Sequence, residues 1–164
     1  MDTSPIKGQS LNAKDRGIIT VNPNLTFADR ITRGEYDWTD FDLTEERFPV
    51  TEDQFGEWAW KLFHFNQIIL SEKALLLIRG DGFEPAQTGH ILTFGEINPE
   101  EQRKYPIFGL GSIASFVNRS TVPGLLDGKG KRGLDLSWFN GRWDSHCRFL
   151  GVCRIAATQT LAIL

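Results

Sequence analysis

The stretch LDLSW, residues 134–138, alternates apolar and polar side chains without a break. A period of two marks a β-strand with one buried face. It also fixes the register, because a slip by one residue would turn the whole apolar set to water. Leu134, Leu136 and Trp138 are expected on the buried face, with Asp135 and Ser137 on the outer one. The following FNGRWDSH places Trp143 as a buried anchor among exposed Asn140, Gly141, Arg142, Asp144, Ser145 and His146. Leu136→Asp or Trp138→Asp should unfold such a frame, whereas exchanges among the polar positions should leave stability nearly untouched. The plain alternative is an ordinary solvated face around a buried tryptophan.

The rest of the chain supplies the scaffold. Residues 17–21 read as a strand, stopped by Asn22-Pro23-Asn24. Leu25, Ala28 and Ile31 have helical spacing, and an acidic loop anchored by Tyr36, Trp38, Phe41 and Leu43 follows. Thr51 is an N-cap candidate with Gln54 at the capping-box position. Phe55, Trp58, Ala59, Leu62 and Phe63 then recur with the spacing of an amphipathic helix. A second helix is expected from Ser71 to Gly80, and a third capped by Thr88 and stopped by Asn98-Pro99. Residues 107–117, 122–126, 134–139 and 148–154 read as strands, and the tail 156–164 as an edge strand or a loose end. A strand, then helices, then a run of strands describes an α+β fold, with short helices packed on a twisted antiparallel sheet. Residues 1–16 carry few apolar side chains and read as a flexible start. Residues 17–164 suffice for a single domain with its own core.

Function classes narrow on charge and motifs. The net charge of −3 gives no general reason to bind nucleic acid. Lys129, Lys131, Arg132 and Arg142 nevertheless make the C-terminal part locally basic, so a nucleic-acid-binding module stays open as an alternative. No apolar run is long enough to span a membrane, and MDTSPIKGQS lacks a signal-peptide core, so the cytoplasm is the default location. Cys147 and Cys153, on one extended strand, would lie about 20 Å apart, too far for a disulfide. No phosphate-binding loop, zinc motif or nucleophile elbow is present. Asp144 with His146, or His146 beside Cys147, suggests acid–base or thiolate chemistry, but strand neighbours point to opposite faces. No cofactor or metal is expected.

Three segments carry a family resemblance. FPVTEDQFGEW (48–58) resembles a helix start of the C-type-lectin-like group that includes the formylglycine-generating-enzyme branch. GFEPAQTGHILTFGE (82–96) looks like its second helix entry, and WFNGRWDSHCRFLGVCR (138–154) resembles a C-terminal variable segment with RFLGV as its closing strand. Together they cover most of residues 25–154. The chain thus resembles a C-type-lectin-fold variable protein of a diversity-generating retroelement, of the type found in nanoarchaea. That resemblance implies a C-type lectin-like fold and a diversified surface within residues 118–154. Its exchangeable positions would arise by adenine-directed mutagenesis, and Asp135, Ser137, Asn140, Gly141, Arg142, Asp144, Ser145, His146 and Cys147 are all residue types reachable from AAY codons. Arg119 and Ser120 could join the surface. The Trp-Asn-Asp of calcium-dependent lectins is missing and Ala86 follows Glu84-Pro85, so calcium and carbohydrate are not implied. The cysteines of the formylglycine-generating branch have no equivalent either.

The expectation is a non-enzymatic ligand-binding protein whose partner is macromolecular, most simply another protein. Its ligand would sit on Asp135, Ser137, Asn140, Gly141, Arg142, Asp144, Ser145 and His146. The enzymatic alternative is a small member of the formylglycine-generating branch using His146 or a cysteine.

Overall fold

The computed structural model describes residues 15–155. The expectations for residues 1–14 and 156–164 lie outside the described residues. In chain order the elements are β1 (Arg16–Val21), α1 (Phe27–Gly34), β2 (Trp38–Thr39), β3 (Gly56–Phe63), β4 (Ile69–Leu70), α2 (Ser71–Gly80), β5 (Glu84–Pro85), α3 (Thr88–Ile97), β6 (Ile107–Phe108), β7 (Ala114–Phe116), β8 (Arg119–Gly128), β9 (Lys131–Trp138), β10 (Arg142–Trp143) and β11 (Arg148–Arg154). The architecture is α+β. The main sheet runs β1-β3-β11-β6-β8-β9-β2, with β5 alongside β11 and β7 alongside β8, while β4 and β10 form a separate ribbon. It is mixed rather than antiparallel, because β11 pairs β6 and β2 pairs β9 in parallel. Both β2 and β6 are two-residue strands reached through loops, not hairpins, so nothing forces them to enter antiparallel.

The helix expected from Thr51 is instead a short 3₁₀ turn, Glu52–Gln54, followed by strand β3. WAWKLF is apolar on both faces apart from Lys61. Trp58, Trp60 and Leu62 enter one core while Phe63 enters another. A strand buried on both sides has no clean period of two, and the leftover spacing mimics a helix. Gln54 gives up the capping role and turns inward, accepting the Gly89 N–H at 2.7 Å and donating to Pro49 O at 3.1 Å. At α3 the N-cap residue is Gln87, not Thr88, and its N–H donates to His90 Nδ1 at 2.9 Å. Of the loop anchors, Leu43 is buried and Tyr36 packs against the core, but Phe41 is 95% exposed and anchors nothing.

The sheet is therefore the middle layer of three. On one face α3 and the apolar side of α1 cover Ile19, Trp60, Leu125, Leu134 and Leu150. On the other, Ala74 and Ile78 of α2 join Ile69, Trp143, Phe149, Phe108 and Val122. Gly124 lets the Phe108 ring lie flat on β8, since a Cβ there would come within 2.5 Å of the ring.

Arg132 of β9 ties the first layer together from inside. It is 5% exposed. Nη1 donates to Gly34 O at 2.6 Å, Nη2 to Gly95 O at 2.8 Å and to Gln102 Oε1 at 2.9 Å, and Nε to Pro99 O at 3.1 Å. Its cation also lies over the Tyr36 ring, 5.0 Å from the centroid. The Gly34 and Gly95 carbonyls come from the C-terminal turns of α1 and α3, where the helix dipoles are negative, and Pro99 follows just after α3.

Candidate binding surface

The β8–β9 hairpin sets the surface. Lys129 and Gly130 both take positive φ, 56° and 79°, which is the backbone of a tight two-residue hairpin turn. Register then pairs Thr121 with Trp138, Val122 with Ser137 and Gly124 with Asp135. Leu134 is fully buried and Leu136 packs at the edge of the same core, as the alternation requires. Trp138 does not follow them inward: it is 55% exposed. It shares their face, but β9 extends past the end of the core, so its indole meets water. The Arg119 guanidinium stacks on that indole, 4.2 Å from the ring centroid.

Asp135 and Ser137 are half-buried rather than open to solvent. Their side of the sheet is not a free surface, because Val122, directly opposite Ser137, sits in the second core. Beyond β9, two backbone-facing bonds fix the turn: Phe139 N–H to Ser120 O at 2.8 Å and Ser120 N–H to Asn140 Oδ1 at 3.2 Å. Ser71, the first residue of α2, holds it from the other side. Its hydroxyl donates to Phe139 O at 2.6 Å and accepts the Trp143 indole N–H at 2.8 Å. Trp143 is buried, packed against Phe108 and Phe149 at 4.5 and 5.4 Å between ring centroids. Arg142 is exposed opposite Leu70, itself 51% exposed. Past Trp143, Asp144 Oδ1 accepts the His146 N–H at 2.8 Å, and the Ser145 carbonyl lies 2.8 Å from His64 Nε2.

Asn140, Gly141 and Arg142 thus form one turn beside Trp138, and Asp144, Ser145 and His146 form the next, with buried Trp143 between them. Ser137 adjoins the first turn. Asp135 lies one pleat farther in, beside Asp40 of the acidic loop, which sequence reasoning did not associate with it. The Asp40 N–H bonds Leu134 O at 2.8 Å, an encounter between residues far apart in the chain that no local pattern announces.

Burial, with the Asp40 carboxylate adding to it, raises the Asp135 pKa above its ordinary value. A raised carboxyl pKa means that the folded chain holds the proton more tightly than the unfolded one. The resulting stability is present below the unfolded pKa and lost as pH rises through the folded one. Asp135→Asn removes that loss, so its melting temperature should exceed the parent's at pH 7, with the gain shrinking toward pH 3. Thermal melts at the two pH values check this; an equal gain at both would refute the assignment.

The Cys147 thiol is buried, and burial, with Asp144 beside it, pushes its pKa up to about 11, the wrong direction for a thiolate nucleophile. Cys147 and Cys153 are both free. No three His, Cys, Asp or Glu side chains come together as a metal site among the described residues. Arg132 of the expected basic cluster is committed to carbonyls inside the fold and cannot reach a phosphate. No helix among the described residues is long and apolar enough to cross a membrane.

Comparison with protein-family models, with curated proteins and with solved structures found no match.

Proposed function

We propose that this chain is a non-enzymatic binding protein that presents residues 118–154 as an exchangeable surface on a fixed frame, in the manner of a retroelement variable protein with a C-type lectin-like fold. The observation that carries this reading is Trp138, a large aromatic held 55% exposed with Arg119 stacked on it. Exposed aromatic area costs solvation unless something covers it, and Trp and Arg are the residue types that concentrate binding energy at protein interfaces. Asn140 and Gly141 adjoin this pair, Ser137 and Asp135 lie behind it, and Arg142, Asp144, Ser145 and His146 continue the polar turns on either side of buried Trp143. The frame is separate: Leu134 and Phe149 are fully buried and Trp143 nearly so. A paratope has the same division, with rigid anchors and adaptable polar contacts. A macromolecular partner, a protein surface above all, suits exposed polar turns this mixed in charge.

A library randomised at Ser137, Asn140, Arg142, Asp144, Ser145 and His146 tests the reading. Most members should keep the parent's melting temperature, with changes within about 0.5 kcal/mol, and selection against an immobilised protein target should recover binders that lose affinity on Trp138→Ala. General loss of folding across the library would refute it. Sequencing the neighbouring DNA gives an independent test: a near-copy of the segment encoding residues 118–154, differing mainly at adenines, should lie beside a reverse-transcriptase gene.

A further inference from the structure

Away from that surface, a cleft of about 290 Å³ opens between α2, the start of α3 and the loop after β6. Its size is at the low end of the range for small-molecule sites. The walls are Trp58, Leu110 and Val152, with Leu75 at the mouth and His90 in the lining. His90 is 1% exposed. Its Nδ1 accepts the Gln87 N–H at 2.9 Å, so in the neutral ring the proton sits on Nε2. Burial, reinforced by the Arg154 guanidinium, pulls the His90 pKa down to about 4, so the ring is neutral near pH 7. Nε2 is buried and has no hydrogen-bond partner among the described residues. The ring stands edge-on to Trp58, 4.4 Å between centroids.

A buried donor left unmade is costly, and native folds leave few. A donor of this kind beside a cleft is met by a ligand acceptor. The charges at the mouth select which one. Asp53 and Glu84 contribute two carboxylates and Arg79, which already pairs Glu84 at 3.4 Å, one guanidinium, while the Arg154 guanidinium lies 4.1 Å over the Trp58 ring. An anion entering there meets no net positive charge to offset its lost hydration, whereas a neutral carbonyl oxygen needs only the donor.

We propose that this cleft binds a small neutral carbonyl or amide compound, with its oxygen accepting from His90 Nε2 and its apolar body against Trp58, Leu110 and Val152. The site is independent of the Trp138 surface and does not rest on the function proposed above.

The probe is N-cyclohexylacetamide, titrated into the full chain with ¹⁵N-labelled histidine. Binding should shift the His90 Nε2 resonance and perturb Trp58 fluorescence, while cyclohexanecarboxylate binds more weakly. His90→Asn keeps an acceptor for the Gln87 N–H but removes the outer donor, and should weaken the amide about tenfold. Leu75→Trp, which fills the mouth from a half-exposed helix position, should abolish binding and serves if His90→Asn does not fold. Trp138→Ala should leave probe affinity unchanged. An unmoved His90 resonance, undiminished affinity in both cleft variants, or carboxylate binding as tight as the amide would each overturn the proposal.

Discussion

Arg132→Met should cost most of the chain's stability. The substitution keeps the apolar stem but removes the guanidinium, leaving the carbonyls of Gly34, Gly95 and Pro99 and the Gln102 side-chain oxygen without their donor. Each buried orphan costs about 1–3 kcal/mol. Even with partial rearrangement, a loss on the order of 4 kcal/mol or more is expected, against a total near 5–15 kcal/mol for a domain. Arg132→Lys should be almost as damaging, because one ammonium cannot reach the ends of both helices where a planar fork can. For a chain of this length the loss corresponds to a fall in melting temperature of roughly 10 °C or more. Calorimetry of the two variants decides the matter: a shift of only a few degrees would mean that water replaces the guanidinium readily and that Arg132 is not the tie between α1 and α3.

The second large effect is an asymmetry along a single strand. Leu134→Asp places an unpaired carboxylate among Leu125, Leu150 and the helices, in a site with no solvent exposure, and should leave the chain unfolded. Trp138→Asp, four residues along the same face, should cost about 1 kcal/mol, the worth of an exposed cation–π contact and a half-covered ring. Urea denaturation of both variants measures the difference. Comparable losses would show that the core extends under Trp138 and that the indole belongs to the frame.

That contrast also shows where sequence reading stops. Alternation assigns each residue of β9 to a face, and it placed Leu134 and Leu136 correctly. It carries no information on where the opposing layer ends, which is why Trp138 was expected inside. β3 failed for a related reason: helices cover both faces of the sheet there, so the run from Trp58 to Phe63 loses the polar half of its pattern. Arg132 resembled its neighbours Lys129 and Lys131, because only the arrival of two helix ends distinguishes a buried cation from a solvated one. The turn residues Asn140 to His146 were legible as a polar group around Trp143. Their fastening through Ser120 and Ser71 was not, since both bonds join segments remote in sequence.

The place of β11 in the sheet bears on the order of events during synthesis. It lies between β3 and β6, pairing Phe149 with Phe63 on one side and with Phe108 on the other. It also contributes Leu150 and Val152 to one core and Phe149 to the other. A ribosome-bound chain ending before residue 148 therefore has two sheet halves that share no strand, each with bare edges. Closing them requires pairings across nearly ninety residues, the kind of long-range contact that slows folding. The nascent chain should stay open to proteases and chaperones until β11 emerges, and acquire protection in both halves at once.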